Sequence, residues 1–163
     1  MKSQRTREYL PLIILITISL LVGILTIHHY GESWDEYNFY NYAEESISAY
    51  SGVFQSDYKL EFHDPTLRYY GAGFLMLIVQ TAKLFPNWII SDVGHLLTFF
   101  IFQFGIVILY LLARRWMGRW SALGVSLLIA SQPVFWGHAF FNSRDIPFMV
   151  GFIATIYFGL RMS

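Results

Sequence analysis

Cysteine is absent from this 163-residue chain. That excludes a disulfide framework, a thiolate metal centre and a cysteine nucleophile. Charge is scarce: 13% of residues are Asp, Glu, Lys or Arg, about half the share of a typical soluble domain. Eleven basic and eleven acidic residues balance to zero, so there is no basic surplus to neutralise the phosphates of a nucleic acid. Internal repeats and low-complexity tracts are also missing. What the chain has is apolar surface: 55% hydrophobic and 19% aromatic residues. A disordered chain has the opposite balance. The composition is that of an all-α integral membrane protein.

A helix crosses the hydrocarbon core with about 20 apolar residues. Four stretches approach that length: about 10–27, 93–113, 120–141 and 146–160. The third contains Pro133. A fifth stretch, Tyr69–Ala82, lies between Arg68 and Lys83 and is short, which suits an interfacial or re-entrant helix. The first stretch could be read as a signal peptide, with Lys2, Arg5 and Arg7 before it. Its length and the bulky His28-His29-Tyr30 that follows speak for a retained anchor instead.

Lys and Arg orient the spans. With four spans, the N-terminal basic residues, the cluster Arg114, Arg115 and Arg119, and Arg161 all face the cytoplasm. The expected location is thus the cell membrane, multi-pass, with a cytoplasmic N-terminus. Asp35, Glu36 and Asp145 then share the outer face.

The expected outer loop, 28–86, is acidic at its start. Between His28 and Arg68 lie Glu32, Asp35, Glu36, Glu44, Glu45, Asp57, Glu61 and Asp64, against Lys59 alone. So long a connection carries structure or function of its own. Trp34, Tyr37, Tyr40, Ala43, Ile47 and Tyr50 recur at helical spacing, predicting an amphipathic helix with an aromatic face at headgroup level, ended by Gly52. Asp64-Pro65 is expected to start a second peripheral helix, since Pro suits a first helical turn.

Each chemical candidate has a structural alternative. Ser33-Trp34-Asp35-Glu36 offers paired carboxylates for general-base work, or a capping box. Asn142-Ser143-Arg144-Asp145 offers an acid at the membrane edge and a cation for phosphate, or an Asn or Ser cap with Asp145 on the helix dipole. His28, His29, His63 and Asp64 have metal-ligand chemistry, but adjacent histidines do not match a helical ligand spacing, and no metal site is expected. His95 reads as a polar contact within the bundle and His138 as a lining residue of the outer cavity. Tyr69 and Tyr70 beside Arg68 suit sugar or phosphate contact, or interfacial anchoring.

The order of these parts resembles the GT-C membrane glycosyltransferases, in particular the superfamily of protein O-mannosyltransferases and lipid A aminoarabinose transferases. Four motifs carry the resemblance: Trp34-Asp35-Glu36-Tyr37; Asp64-Pro65-Thr66-Leu67-Arg68-Tyr69-Tyr70; Tyr110-Leu111-Leu112-Ala113-Arg114-Arg115 with Gly118-Arg119; and Phe141-Asn142-Ser143-Arg144-Asp145-Ile146-Pro147-Phe148. They span the whole chain but only the N-terminal part of the family, whose members have further spans.

The resemblance implies one membrane domain over 1–163, part of a larger transmembrane unit or in need of a partner subunit. It implies sugar transfer from a polyprenyl-phosphate donor in the membrane lipid to an acceptor protein, lipid or glycan on the outer face. Asp35 would be the catalytic base, with Glu36 and Asp145 supporting it. Arg144, Arg68, Tyr69, Tyr70 and His138 would bind substrate. No cofactor is implied; a divalent metal serves some GT-C enzymes but not generally this superfamily.

The main rival is a non-enzymatic scaffold or inactive fragment in which every acidic motif is a helix cap. A small transporter ranks below both, because it would need ionisable residues in mid-span.

Overall fold

The computed structural model describes residues 2–53 and 64–162, without the side chains of residues 2–7 and Arg68. Glu61, His63 and Asp57 therefore lie outside the described residues, as does the Arg68 side chain. Every regular element described is helical. In chain order they are α1 (Lys2–Thr26), α2 (Glu36–Gly52), α3 (Gly73–Ala82), α4 (Ile90–Ala113), α5 (Arg119–Ser131), α6 (Pro133–Phe141) and α7 (Asp145–Met162), with short 3-10 turns at Ile27–His29 and Leu67–Tyr69.

Among the described residues, three helices are long and apolar enough to cross a membrane: α1 from Glu8 onward, α4 and α7. The 24 residues of α4 extend about 36 Å, enough for a hydrocarbon core of about 30 Å. The stretch 120–141 is not one straight helix. It breaks into α5 and α6, inclined at 64°. The cause is local. Pro133 has no N–H to give back to the preceding turn, and Gln132 before it is held at φ −67°, ψ 123°, the extended conformation that a following proline favours. The elbow leaves an open apolar groove of about 460 Å³ against α1, lined by Leu15, Ile18, Val22, Leu127, Pro133 and Trp136 among others.

Helix α4 is the hub and touches α1, α3, α5, α6 and α7. Its Phe99, fully buried, stacks on Phe140 at 4.7 Å between ring centroids, and Tyr30 stacks on the other side of Phe140 at 4.1 Å. Two glycines permit the close approach. A Cβ at Gly23 would fall into the Phe99 ring, and one at Gly105 into Val150. Small residues at such crossings let backbones come together where apolar burial gives no drive. Gly23→Ala is therefore expected to destabilise the bundle by about 1–3 kcal/mol, the usual cost of overpacking. Gly159→Ala, with open space around the position, should leave the melting temperature in detergent unchanged.

The two ends of the bundle are distinct. At one, the Arg114 guanidinium, beyond the end of α4, donates to the Glu8 carboxylate of α1, and Tyr9 meets Tyr110 edge-on. At the other, His28 Nδ1 lies 2.8 Å from Asp92 Oδ2, in the first turn of α4. So α1 and α4 run antiparallel. The Tyr30–Phe140 stack brings the end of α6, and with it the start of α7, to the His28 end.

Helices α2 and α3 pack together and onto that end through Phe39, Tyr40, Tyr42, Ala43, Leu75, Ile78 and Val79. Of the predicted aromatic stripe, Trp34, Tyr37 and Tyr50 are exposed and Tyr40 and Ala43 buried; Glu36, Phe39, Tyr42 and Ser46 are buried beside them. Gly52 does end α2.

The second loop helix starts at Gly73, not at Asp64-Pro65. Asp64 Oδ1 accepts from the Thr66 backbone N–H at 2.9 Å and the Thr66 hydroxyl at 2.6 Å. That closes an Asx turn, a local competitor of helix. A 3-10 turn and an extended Tyr70 follow before α3 begins.

Candidate functional site

The turn Ser33-Trp34-Asp35-Glu36 enters α2. The Ser33 N–H donates to Glu36 Oε2 at 2.8 Å, and the Glu36 N–H to the Ser33 carbonyl at 3.1 Å. That is the Glu half of a capping box. The other Glu36 oxygen, Oε1, lies 2.9 Å from His95 Nε2 in α4. Glu36 is 1% exposed and His95 not exposed at all. Both Glu36 oxygens are thus committed inside the protein. Asp35 is different: it is exposed and makes no side-chain capping bond. The two adjacent carboxylates divide into one that ties the loop to the bundle and one that faces outward.

One turn along α2, Tyr40 packs its hydroxyl against Gly94, where a Cβ would collide with it. Burial pushes the Tyr40 phenol well above its ordinary range, and the Glu36 charge adds to the effect. The hydroxyl therefore stays protonated at any working pH.

The second loop holds Asn142 in a fixed orientation. Its Oδ1 accepts from the Asp145 backbone N–H at 2.9 Å, which only an oxygen can do. Its Nδ2 then donates to Asp145 Oδ2 at 2.9 Å and faces His138 Nδ1 at 3.1 Å. The bonding pattern assigns His138 a proton on Nε2, with Nδ1 as acceptor. Asn142 and Asp145 cap α7 reciprocally, and Asp145 suits the dipole there.

Arg144 joins the two loops. Its guanidinium carbon sits 4.1 Å over the Phe39 ring of α2 and 4.7 Å over the Tyr70 ring. Tyr70 is pinned in turn, its carbonyl accepting from the Tyr42 hydroxyl at 2.7 Å. Two aromatic faces attract a cation by their quadrupoles but leave the N–H edge of the guanidinium unspent. Among the described residues no carboxylate forms an ion pair with Arg144.

The structure therefore brings Glu36, Tyr70, Arg144, Asp145 and His138 to one end of the bundle, with Asp35 one helical turn, about 6 Å of rise, before Phe39. Tyr69 is exposed. His28 is engaged with Asp92 and meets Trp88 edge-on at 5.2 Å. No group of three His, Asp or Glu side chains able to hold a metal occurs among the described residues.

Reading the sequence placed His95 inside the bundle but missed its partner. The available signal was a histidine early in an otherwise apolar helix, because such a group needs a hydrogen-bonding partner. Comparisons with family models, with curated proteins and with solved structures found no match.

Proposed function

We propose that this end of the bundle is part of a membrane glycosyltransferase site that takes a sugar from a polyprenyl-phosphate donor. The observation that carries the reading is the Arg144 guanidinium, stacked on Phe39 and Tyr70 without an ion pair among the described residues, where Phe39 lies one turn of α2 after the exposed Asp35. A planar cation of this kind matches a phosphate geometrically.

In the proposed step the acceptor gives its proton to the Asp35 carboxylate as its heteroatom bonds to the sugar's anomeric carbon. The bond from that carbon to the phosphate oxygen breaks, and the polyprenyl phosphate leaves with the electron pair, its charge met by Arg144. Direct displacement inverts the anomeric centre. Glu36 supports the turn, Asp145 at the start of α7 and His138 near the end of α6 border the site, and Tyr69 and Tyr70 contact the donor. The step needs no metal.

In this reading α5 and α6 together form a fourth, bent span, and α2 and α3 lie along the outer membrane surface. The N-terminal basic residues and Arg114, Arg115 and Arg119 then face the cytoplasm. Further helices, from a longer chain or a partner, cover the apolar faces of α1 and α7 and complete the donor cavity.

The test is release of polyprenyl phosphate from synthetic polyprenyl-phosphate sugars by proteoliposomes that hold the chain together with the helices completing its cavity, with a panel of hydroxyl and amine acceptors. Release that depends on both donor and acceptor supports the proposal; its absence across the panel counts against it. Arg144→Gln is expected to weaken retention of polyprenyl phosphate. Hydrogen bonds to charged groups contribute about 1.5–3 kcal/mol, so the loss is roughly ten- to a hundredfold, read by flotation of vesicles carrying the labelled lipid.

A scaffold is the second reading, and specific bonds favour it. Glu36 is used by Ser33 and His95, and Asp145 by Asn142. Those two acids have structural work already, so Asp35 decides between the readings.

A further inference from the structure

The turn bearing Asp35 is too short to hold itself. It is preceded by the exposed Gly31 and Glu32, and its local bonds are the two between Ser33 and Glu36 and one from the Phe39 N–H to the Asp35 carbonyl at 3.1 Å. Besides the apolar packing of α2 that follows it, the turn is tied to α4 by the second oxygen of Glu36, which crosses to His95 Nε2 at 2.9 Å. His95 belongs to α4, the helix that every long apolar helix in the fold touches. It is wholly buried and lies one residue beyond Gly94, whose missing side chain lets Tyr40 approach. The contact is thus made twice on consecutive α4 residues, by Glu36 and by Tyr40, each from successive turns of α2.

We infer that His95 is a positioning residue for Asp35: through Glu36 it fixes the turn 33–36 against α4, so that the Asp35 carboxylate is held in one place relative to the second loop. The role of Asp35 as base rests on the proposed transferase reading; the strut does not, and it is tested without any activity. A bond of this kind differs from packing in a readable way. A side chain that fills the His95 volume but cannot donate should release the turn. One that donates at similar reach should keep it.

The absence of cysteine makes the measurement direct. Spin labels on Trp34→Cys, beside Asp35, and Phe104→Cys, on the exposed face of α4, report the distance between turn and helix in nanodiscs. A second pair, Leu21→Cys on α1 and Phe152→Cys on α7, both exposed, reports the bundle. The expected result is a narrow 34–104 distribution in the otherwise native chain, loss of that narrow peak in His95→Leu, and its return in His95→Gln, with the 21–152 distance unchanged throughout. A narrow 34–104 peak in His95→Leu overturns the inference, since volume alone would then suffice. So does a His95→Gln that behaves like His95→Leu. A His95→Leu chain that also loses the 21–152 distance overturns it too, because the pair would then hold the bundle as a whole rather than the turn. Transfer assays that fail while the labels behave as expected would count against the transferase reading and leave the strut standing.

Discussion

On the proposed transferase reading, Asp35→Asn is expected to abolish sugar transfer while leaving the fold intact. A positioned general base contributes roughly 10²- to 10⁴-fold to rate, and the amide cannot take the acceptor's proton. The structural cost should be small. Asp35 is exposed and makes no side-chain capping bond, and such surface substitutions usually stay within about 0.5 kcal/mol. The contrast with Asp145→Asn sharpens the test. Asp145 accepts from Asn142 and sits in the first turn of α7, so its neutralisation should cost a few tenths to about 1 kcal/mol of helix-dipole stabilisation. If both variants keep transfer, neither acid is the base and the chemistry assigned to Asp35 fails; if the unsubstituted chain shows no transfer either, the scaffold reading holds. If Asp35→Asn alone loses turnover at unchanged melting temperature, a cap cannot explain it. Single-turnover release of labelled polyprenyl phosphate, read beside a thermal melt of each purified variant, makes both comparisons.

The features legible in the sequence are those with short-range causes. Apolar runs of span length mark α1, α4 and α7 because the bilayer sets a minimum length. Asn142 as a helix cap follows from the chemistry of a single residue. The break between α5 and α6 also has a local cause, Pro133. There the length of the apolar run outweighs the breaker when the two are read together, although the proline decides the geometry. Asp64-Pro65 fails for a related reason. The same dipeptide can open a helix or an Asx turn, and the Thr66 hydroxyl favours the turn.

The parts that were not legible depend on partners far along the chain. Glu36 and His95 are 59 residues apart. Without that pairing, nothing local in α2 shows that Glu36 turns toward α4. The Arg144 stack is of the same kind. Residues 39, 70 and 144 meet through contacts distant in sequence: the Tyr30–Phe140 stack and the packing of α7 on α4 bring the start of α7 to α2. The candidate site is thus assembled from local motifs that are visible one by one, through tertiary contacts that are not.

The second large effect belongs to the Glu36–His95 pair as an energetic unit. Glu36→Ala should destabilise the protein by about 3–5 kcal/mol, the range found when one partner of a buried ionisable pair is removed. The loss has two sources. His95 Nε2 would be left buried without its acceptor, while His95 Nδ1 already has no partner in its pocket. The Ser33 N–H would lose Glu36 Oε2. His95→Leu alone should cost a similar amount, since it strands Glu36 Oε1 in the same place. The double variant Glu36→Leu/His95→Leu should cost much less than the sum, because removing both polar groups leaves neither stranded, and buried ion pairs replaced by apolar residues are often neutral. A double-mutant cycle on unfolding in mixed micelles measures the coupling directly. Strict additivity would mean that the two side chains contribute independently and that the bond does not tie α2 to α4. Strong coupling would also explain why a glutamate is placed at the start of an otherwise aromatic helix. Its hydrogen bond supplies a direction that aromatic burial lacks, and so selects one rotation of α2, the rotation that leaves Asp35 facing outward.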